Sequence, residues 1–478
     1  MLTKDALLLS LFLIFRALSV SSEAQSIDPV CSKISHAISN ASQVFLPGDP
    51  TYEKDILHYA SSSTQRSRCV VEAGSPPDIA KILAVLQATR SPFAVKGGGH
   101  ATNPGFSSTP GVHISMARFS EVEYHATQQT VDVGAGVVWD EVYSVLEPFG
   151  VNALGGRVTG IGVAGFTLGG GYSWKSNQYG LAVDNVVAFE LVTPNGKIVN
   201  VTHGSDPELF FGLKGGFNNF GIVTKFTLKV FPQTQVWGGL IFNAESMIPA
   251  VSAATAKFQA EVKDPKAAII TLVSEVLFYD APTPPKGIFD DFLAIPATTT
   301  DISTRSFLSL VLSSPVTNIS KRGMYEGLPI IQATPEVLKV IVNETKFWGP
   351  ALENKSALSL SYSVELFLPT LYSHNTEKTA FPPVRNIPFQ PFNLAFSWNS
   401  SEFDRDFNSA MLTSATHVKQ KAIALGQEQL KNAPTYPNYA ALGTPLQEMY
   451  GANIPALRQL KSRIDPDNVM SLAGGWKF

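Results

Sequence analysis

From residue 69 onward, short apolar runs alternate with longer amphipathic ones. "CVVEA" (69–73) is apolar and β-branched and reads as a strand. "SPPDIAKILAVLQAT" (75–89) reads as a helix. Ser75 can cap it, Pro76 and Pro77 suit its first turn, and Ile79, Ile82, Leu83 and Leu86 fall on one face. "PFAVK", "VHISM" and "TVDVGAG" are further strands, and "WDEVYSVLEPFG" is a helix ended by Gly150. "NVVAFELVTPNGKIVNVT" predicts two strands joined at Asn195-Gly196. Asp206 and Pro207 open a helix, and "GIVTKFTLKVFP" alternates apolar and polar residues up to Pro232.

Past Pro232 glycine becomes sparse, and amphipathic stretches mix with strands such as "SALSLSYSVELFL". This texture predicts a second domain of antiparallel sheet with helices. "TAFPPVRNIPFQP" reads as a loop, and the closing stretch as a helix stopped by Asp465-Pro466 and followed by a short apolar tail.

With 478 residues the chain exceeds one ordinary core. Apolar residues make up 44% and charged ones 16%, a globular composition. The net charge of -3, without a basic run, argues against a nucleic-acid partner. The start, with Lys4, an apolar run from Ala6 to Phe15 and the small residues Ser22 and Ala24, predicts a secretory leader over residues 1–24. No later segment is apolar enough to predict a membrane span in the mature chain. The expected location is therefore extracellular or the secretory lumen.

The two cysteines, Cys31 and Cys69, follow the leader. They can pair, which loop closure would make worth roughly 4 kcal/mol, or they can be two buried thiols. Too few for a four-cysteine zinc site, they give no reason to expect a metal. Glycosylation sequons stand at Asn40, Asn200, Asn318, Asn343, Asn354 and Asn399.

The chemistry concentrates in glycine-rich turns: "VKGGGH" (95–100), "GAG" (134–136), "GGRVTGIGVAG" (155–165) and "LKGG" (213–216). "GIGVAG" formally matches a dinucleotide fingerprint, with Asp184 downstream. The motif should follow a strand and open a helix, and residues 155–171 are too rich in glycine to predict a stable helix. P-loop, zincin and nucleophile-elbow patterns are absent. Backbone N–H groups in such turns can form anion-binding nests, so a bulky phosphate-bearing cofactor is the best use of the set.

These residues carry a resemblance. The chain resembles the berberine-bridge-enzyme-like branch of the vanillyl-alcohol-oxidase flavoproteins, with a PCMH-type FAD-binding domain. The matching stretches are "GGH" at 98–100, "VDVGAGVVWDEVY", "GIGVAGFTLGGGYSWKSNQYGLAVDNV", "LFFGLKGGFNNFGIVTKFTLKVFP" and the tail "YGANIPALRQLKSRIDPDNVMSLAGG". The implied fold is α+β: a two-part FAD-binding domain over 25–233, an antiparallel-sheet substrate domain covered by helices over 234–414, and a segment 415–478 returning to the first. The implied cofactor is FAD, bonded through its 8α-methyl to His100. Its implied contacts are Lys96, Gly97, Gly98, Gly99, Gly160, Gly162, Gly165, Ile222 and Asn453. Many members add a cysteine bond in the second glycine loop. Here that position is Val158, which implies a single tether and lowers the expectation of an oligosaccharide substrate. The resemblance also implies a Cys31–Cys69 disulfide.

The implied reaction is hydride transfer from an alcohol, amine or activated C–H of a small molecule to flavin N5. A base takes the proton, and O2 is reduced to H2O2. At the family's substrate-strand position stands Asn393, whose amide is no base at neutral pH. The base is expected at Tyr439, with Tyr436 and Tyr172 as further site tyrosines. A tyrosine base needs a neighbour that favours the phenolate. Glu365 is an alternative carboxylate, expected as an exposed strand residue. Ile161, at the point of oxygen access, leans toward an oxidase rather than a dehydrogenase, and the expected setting is secondary metabolism. A flavin-site cyclase or isomerase is the alternative activity. A catalytically silent binding protein is the alternative outside enzymes.

Overall fold

The structure, a computed structural model, describes residues 27–271, 274–314 and 321–478. The predicted leader and the sequon at Asn318 lie outside the described residues.

The first sheet has four strands in the order Gln43–Phe45, Cys69–Glu72, Val112–Ser115, Phe93–Lys96. The last three run parallel. Helix Pro76–Thr89 connects two of them, with Ser75 Oγ accepting from the Asp78 N–H at 3.4 Å. Its apolar stripe, Ile79, Ile82, Leu83 and Leu86, is fully buried, as the spacing predicts. Cys31 and Cys69 form a disulfide that ties the N-terminal helix Pro29–Ala37 to this sheet.

The second sheet is antiparallel, in the order Val122–His125, Thr130–Gly134, Ile222–Lys229, Val186–Val192, Ile198–Val201. Its last two strands form the hairpin expected at Asn195-Gly196, with Gly196 at φ +80°.

The third sheet has seven antiparallel strands: Ala297–Arg305, Val236–Asn243, Ser274–Tyr279, Ala267–Thr271, Ala357–Leu366, Gln390–Trp398, Arg322–Ile330. Helices Ile248–Glu261, Pro335–Glu353 and Asp404–Ala424 pack together around it. Because side chains alternate along a strand, Tyr362 and Val364 turn to the helices, where Tyr362 bonds Ser414 at 2.9 Å. Ser361, Ser363 and Glu365 turn to the other face, toward the first two sheets. The expected antiparallel sheet with a helical cover is what forms.

One local expectation fails. Residues 163–168 form a short helix despite the glycines around them. The Val163 N–H bonds Val137 O at 2.9 Å, and Val163, Thr167 and Leu168 are buried. Tertiary packing overrides propensity here. After residue 424 the chain crosses back. Helix Ile454–Ile464 meets helix Pro207–Leu213, and Ala473 bridges to Phe93 beside the first sheet. Trp476 rests edge-on against Phe106 and donates to Pro437 O at 3.2 Å.

Candidate active site

Two glycine turns meet where the first two sheets abut. The first follows strand Phe93–Lys96. A Cβ on Gly98 would lie 2.6 Å from Gly162 Cα, and one on Gly162 would lie 2.5 Å from Gly98 N. Only glycine permits that approach. A bridge at Val138 and Gly162 locks the second turn, with Trp139 N–H donating to Ile161 O at 2.9 Å. Gly160, at φ +79°, and the Thr159 hydroxyl both donate to the Asp140 carboxylate.

His100 ends the first turn. Its ring stacks on Tyr59 at 4.0 Å and lies parallel to Tyr325 at 6.1 Å. Burial lowers its pKa to about 4, so the imidazole is neutral at pH 7 and keeps a lone pair on one ring nitrogen. Val158, half-buried in the second turn, has no atom that could form a second bond.

Arg157, next to Val158, is the centre of a buried cluster. Its Nη2 donates to Glu365 Oε2 at 2.5 Å and to the Tyr439 hydroxyl at 2.9 Å, and Tyr439 donates to Glu365 Oε1 at 2.9 Å. Glu365 is therefore no exposed strand residue: it is 2% exposed, with both oxygens engaged. Tyr439 does not rest as a phenolate either. Burial, then the charge of Glu365, push its pKa well above 10, against the smaller opposing pull of Arg157. It is held as a proton donor to Glu365.

The other expected tyrosines adjoin it, but their hydroxyls are committed. Tyr436 packs at 4.9 Å from Tyr439 and accepts from the Gly171 N–H and the Asn438 amide; burial raises its pKa to about 12. Tyr172 packs edge-on to Tyr436 and shares a hydrogen bond with Tyr372 at 2.5 Å. Asn393 pairs in register with Ser363, on the same sheet face as Glu365, and its Oδ1 is buried without a partner among the described residues.

Three expected cofactor residues are placed less directly. The stem of Lys96 packs under Gly99, and burial lowers its pKa, with Asp55 the opposing charge. The Ile222 side chain is buried in the second sheet, so only its backbone is available. Asn453 gives its amide N–H groups to Thr379 O and Ala380 O, which leaves its Oδ1.

The donor set fits FAD. The N–H groups of Gly98 and Gly99 make no hydrogen bond among the described residues. A Cβ on Gly160 or Gly165 would meet nothing within 4 Å, so open space borders the backbone of the second turn. Unpaired N–H groups in one turn and open space along the other suit a pyrophosphate, and a neutral imidazole suits a bond to carbon. Arg157, Tyr325 and Asn103, treated below, were missed in the sequence. Arg157 had a signal: it is the sole charge in residues 155–171. The sequons at Asn40, Asn200, Asn343, Asn354 and Asn399 are all exposed.

Comparison with known proteins agrees with this geometry. Residues 67–202 match the FAD binding domain family. An uncharacterized FAD-linked oxidoreductase of Arthroderma benhamiae is 37% identical over 57% of this chain and 57% of its own length, so the match spans just over half of that relative. The FAD-dependent monooxygenase tpcD of Cochliobolus heterostrophus is 31% identical over 86% of this chain and 84% of its own. Among solved structures, wild-type BBE-like 1 of Physcomitrella patens superposes with a TM-score of 0.73 at 18% identity, covering 92% of this chain and 97% of that one. The carbohydrate oxidase of Microdochium nivale does so with 0.75 at 20% identity, covering 93% and 99%.

Proposed function

The chain belongs to the FAD-linked oxidoreductases and has the fold of a berberine-bridge-like protein, and from that premise we propose that it is a secreted oxidase of a small organic substrate, acting in secondary metabolism. The observation that carries the reading is the Arg157–Glu365–Tyr439 cluster at the junction of the glycine turns and the open face of the third sheet. His100 would hold FAD covalently, as its single tether.

When bound, FAD supplies the acceptor for the substrate's hydride and the route of both electrons to O2, which leaves as H2O2. The protein's part is the proton. Tyr439 already points its own proton at Glu365. As a substrate O–H or N–H proton arrives on the Tyr439 oxygen, the phenolic proton passes to Glu365. No free phenolate has to exist at neutral pH. Arg157 bonds both partners and holds their oxygens in place. Asn393, unable to act as a base, offers its unpartnered Oδ1 to a donor group of the substrate.

Secretion is supported by the leader pattern, the Cys31–Cys69 disulfide and the exposed sequons. The names of relatives such as the monooxygenase tpcD favour a second reading, in which one oxygen atom enters the product. Peroxide release across a panel of alcohols, amines and sugars, run under 18O2, separates the two: an oxidase returns stoichiometric peroxide and unlabelled product. Turnover without oxygen uptake would instead indicate a cyclase or isomerase. A peptide map of the denatured yellow protein tests the tether. Flavin retained on the His100 peptide is expected; flavin freed into solution would overturn the covalent bond.

A further inference from the structure

The turn that bears His100 continues as His100-Ala101-Thr102-Asn103, and each polar residue of it grips a different wall of the site. His100 stacks on Tyr59. Thr102 Oγ1 accepts from the Tyr325 N–H at 3.2 Å. Asn103, 8% exposed, makes two bonds at 2.9 Å to one short segment: its amide donates to Ala440 O, and its Oδ1 accepts from the Leu442 N–H. Between them the Ala441 N–H donates to Glu326 at 3.0 Å. Tyr439 is the residue immediately before this clasp. On its other side it is fixed by its own N–H to Tyr436 O at 3.0 Å.

We infer that Asn103 is a positioning residue: it registers the loop carrying Tyr439 against the turn carrying His100. This rests on the reading of Tyr439 and His100 given above. A side chain that only filled its own hydrogen-bonding needs would close on its own loop. Asn103 spends both ends of its amide on a segment more than 330 positions away, as the separations of 337 and 339 show. From His100 to Asn103 the chain reaches at most about 11 Å. One side chain thus sets the separation of flavin tether and proton acceptor. Neither of its two bonds can be replaced by solvent in a buried site without cost.

The test compares holoenzymes as purified, with bound FAD quantified by absorbance. The variants are Asn103→Ala and Asn103→Asp. Residue-resolved hydrogen exchange is read at the Leu442 amide, together with the visible-range circular dichroism of the flavin. Aspartate keeps the acceptor for the Leu442 N–H and loses the donor to Ala440 O. In Asn103→Ala, Leu442 should exchange at least about tenfold faster and the flavin dichroism should change. In Asn103→Asp, Leu442 should stay within about threefold of the parent. Unchanged Leu442 exchange in Asn103→Ala, or faster exchange with an unaltered flavin signal, overturns the inference. Should alanine prevent folding, the aspartate variant decides alone: Leu442 protected with the dichroism shifted supports it, and both unchanged refute it. Absence of FAD from the parent protein would strike the functional reading instead, which keeps the two failures apart.

Discussion

Arg157 and Glu365 stand 208 positions apart in the chain and meet at 2.5 Å, both almost fully buried. They join the second glycine turn to the third sheet. A buried pair is a weak source of net stability, but removing one partner strands a charge and costs about 3–5 kcal/mol. Arg157→Met should therefore destabilise the protein by roughly that amount, and adding Glu365→Gln should recover part of the loss. Urea denaturation of both variants measures this. Equal stability of Arg157→Met and the parent would mean that the pair is not formed.

Tyr439→Phe removes the hydroxyl that links substrate to Glu365 and leaves the Arg157–Glu365 pair in place. The rate of flavin reduction should fall by about 10²–10⁴, the range for losing a general acid-base group. Flavin content should not change. Tyr436→Phe should slow the same step far less, because its hydroxyl is occupied by Gly171 and Asn438. Anaerobic stopped-flow reduction with a substrate from the peroxide screen gives both numbers. Equal losses in the two variants would move the proton transfer away from Tyr439.

What the sequence made legible was short-range. Ser75 and its prolines announce one helix, Asn195-Gly196 announces a hairpin, and alternation in "SALSLSYSVELFL" announces a strand of the third sheet. Each rests on residues a few positions apart. The site is built from long-range meetings instead. His100 was legible only through a family pattern, and nothing local says that Glu365 faces Arg157. The register of the strand Ala357–Leu366 decides that, since a slip by one residue would send Glu365 to the helices. The helix Val163–Leu168 was lost for the converse reason: glycine argues against it locally, and the bridge to Val137 decides for it.

Two glycines, one from each turn, should respond in opposite ways. In Gly98→Ala the new methyl would sit against the Gly162 backbone, which has no flexible end to move aside. Both stability and FAD content should fall. In Gly165→Ala the methyl enters open space within a helix, where alanine is favoured by up to about 1 kcal/mol. The fold should hold or gain slightly, and only flavin content should drop. Thermal denaturation paired with the 450 nm to 280 nm absorbance ratio separates the cases. Full flavin loading in Gly165→Ala would place the cofactor elsewhere.

Stability should also fall as the medium turns alkaline. Burial raises Glu275 and Glu326 to about 7. The folded protein thus keeps protons that the unfolded chain releases nearer the model value of 4.5. Their contribution is complete below about pH 4.5 and is lost as the pH rises through about 7. Glu275 is the cleaner probe, because Glu326 accepts from the Ala441 N–H within the Tyr439 clasp. One of its oxygens accepts from Asn243 at 2.5 Å, and the other is buried without a partner among the described residues. Glu275→Gln replaces a carboxylate that must ionise in a dry setting with a neutral amide. Its melting temperature should match the parent near pH 4.5 and exceed it at pH 8, by up to roughly 3 kcal/mol of stability. A constant difference between the two variants across that range would mean that Glu275 titrates like an exposed carboxylate.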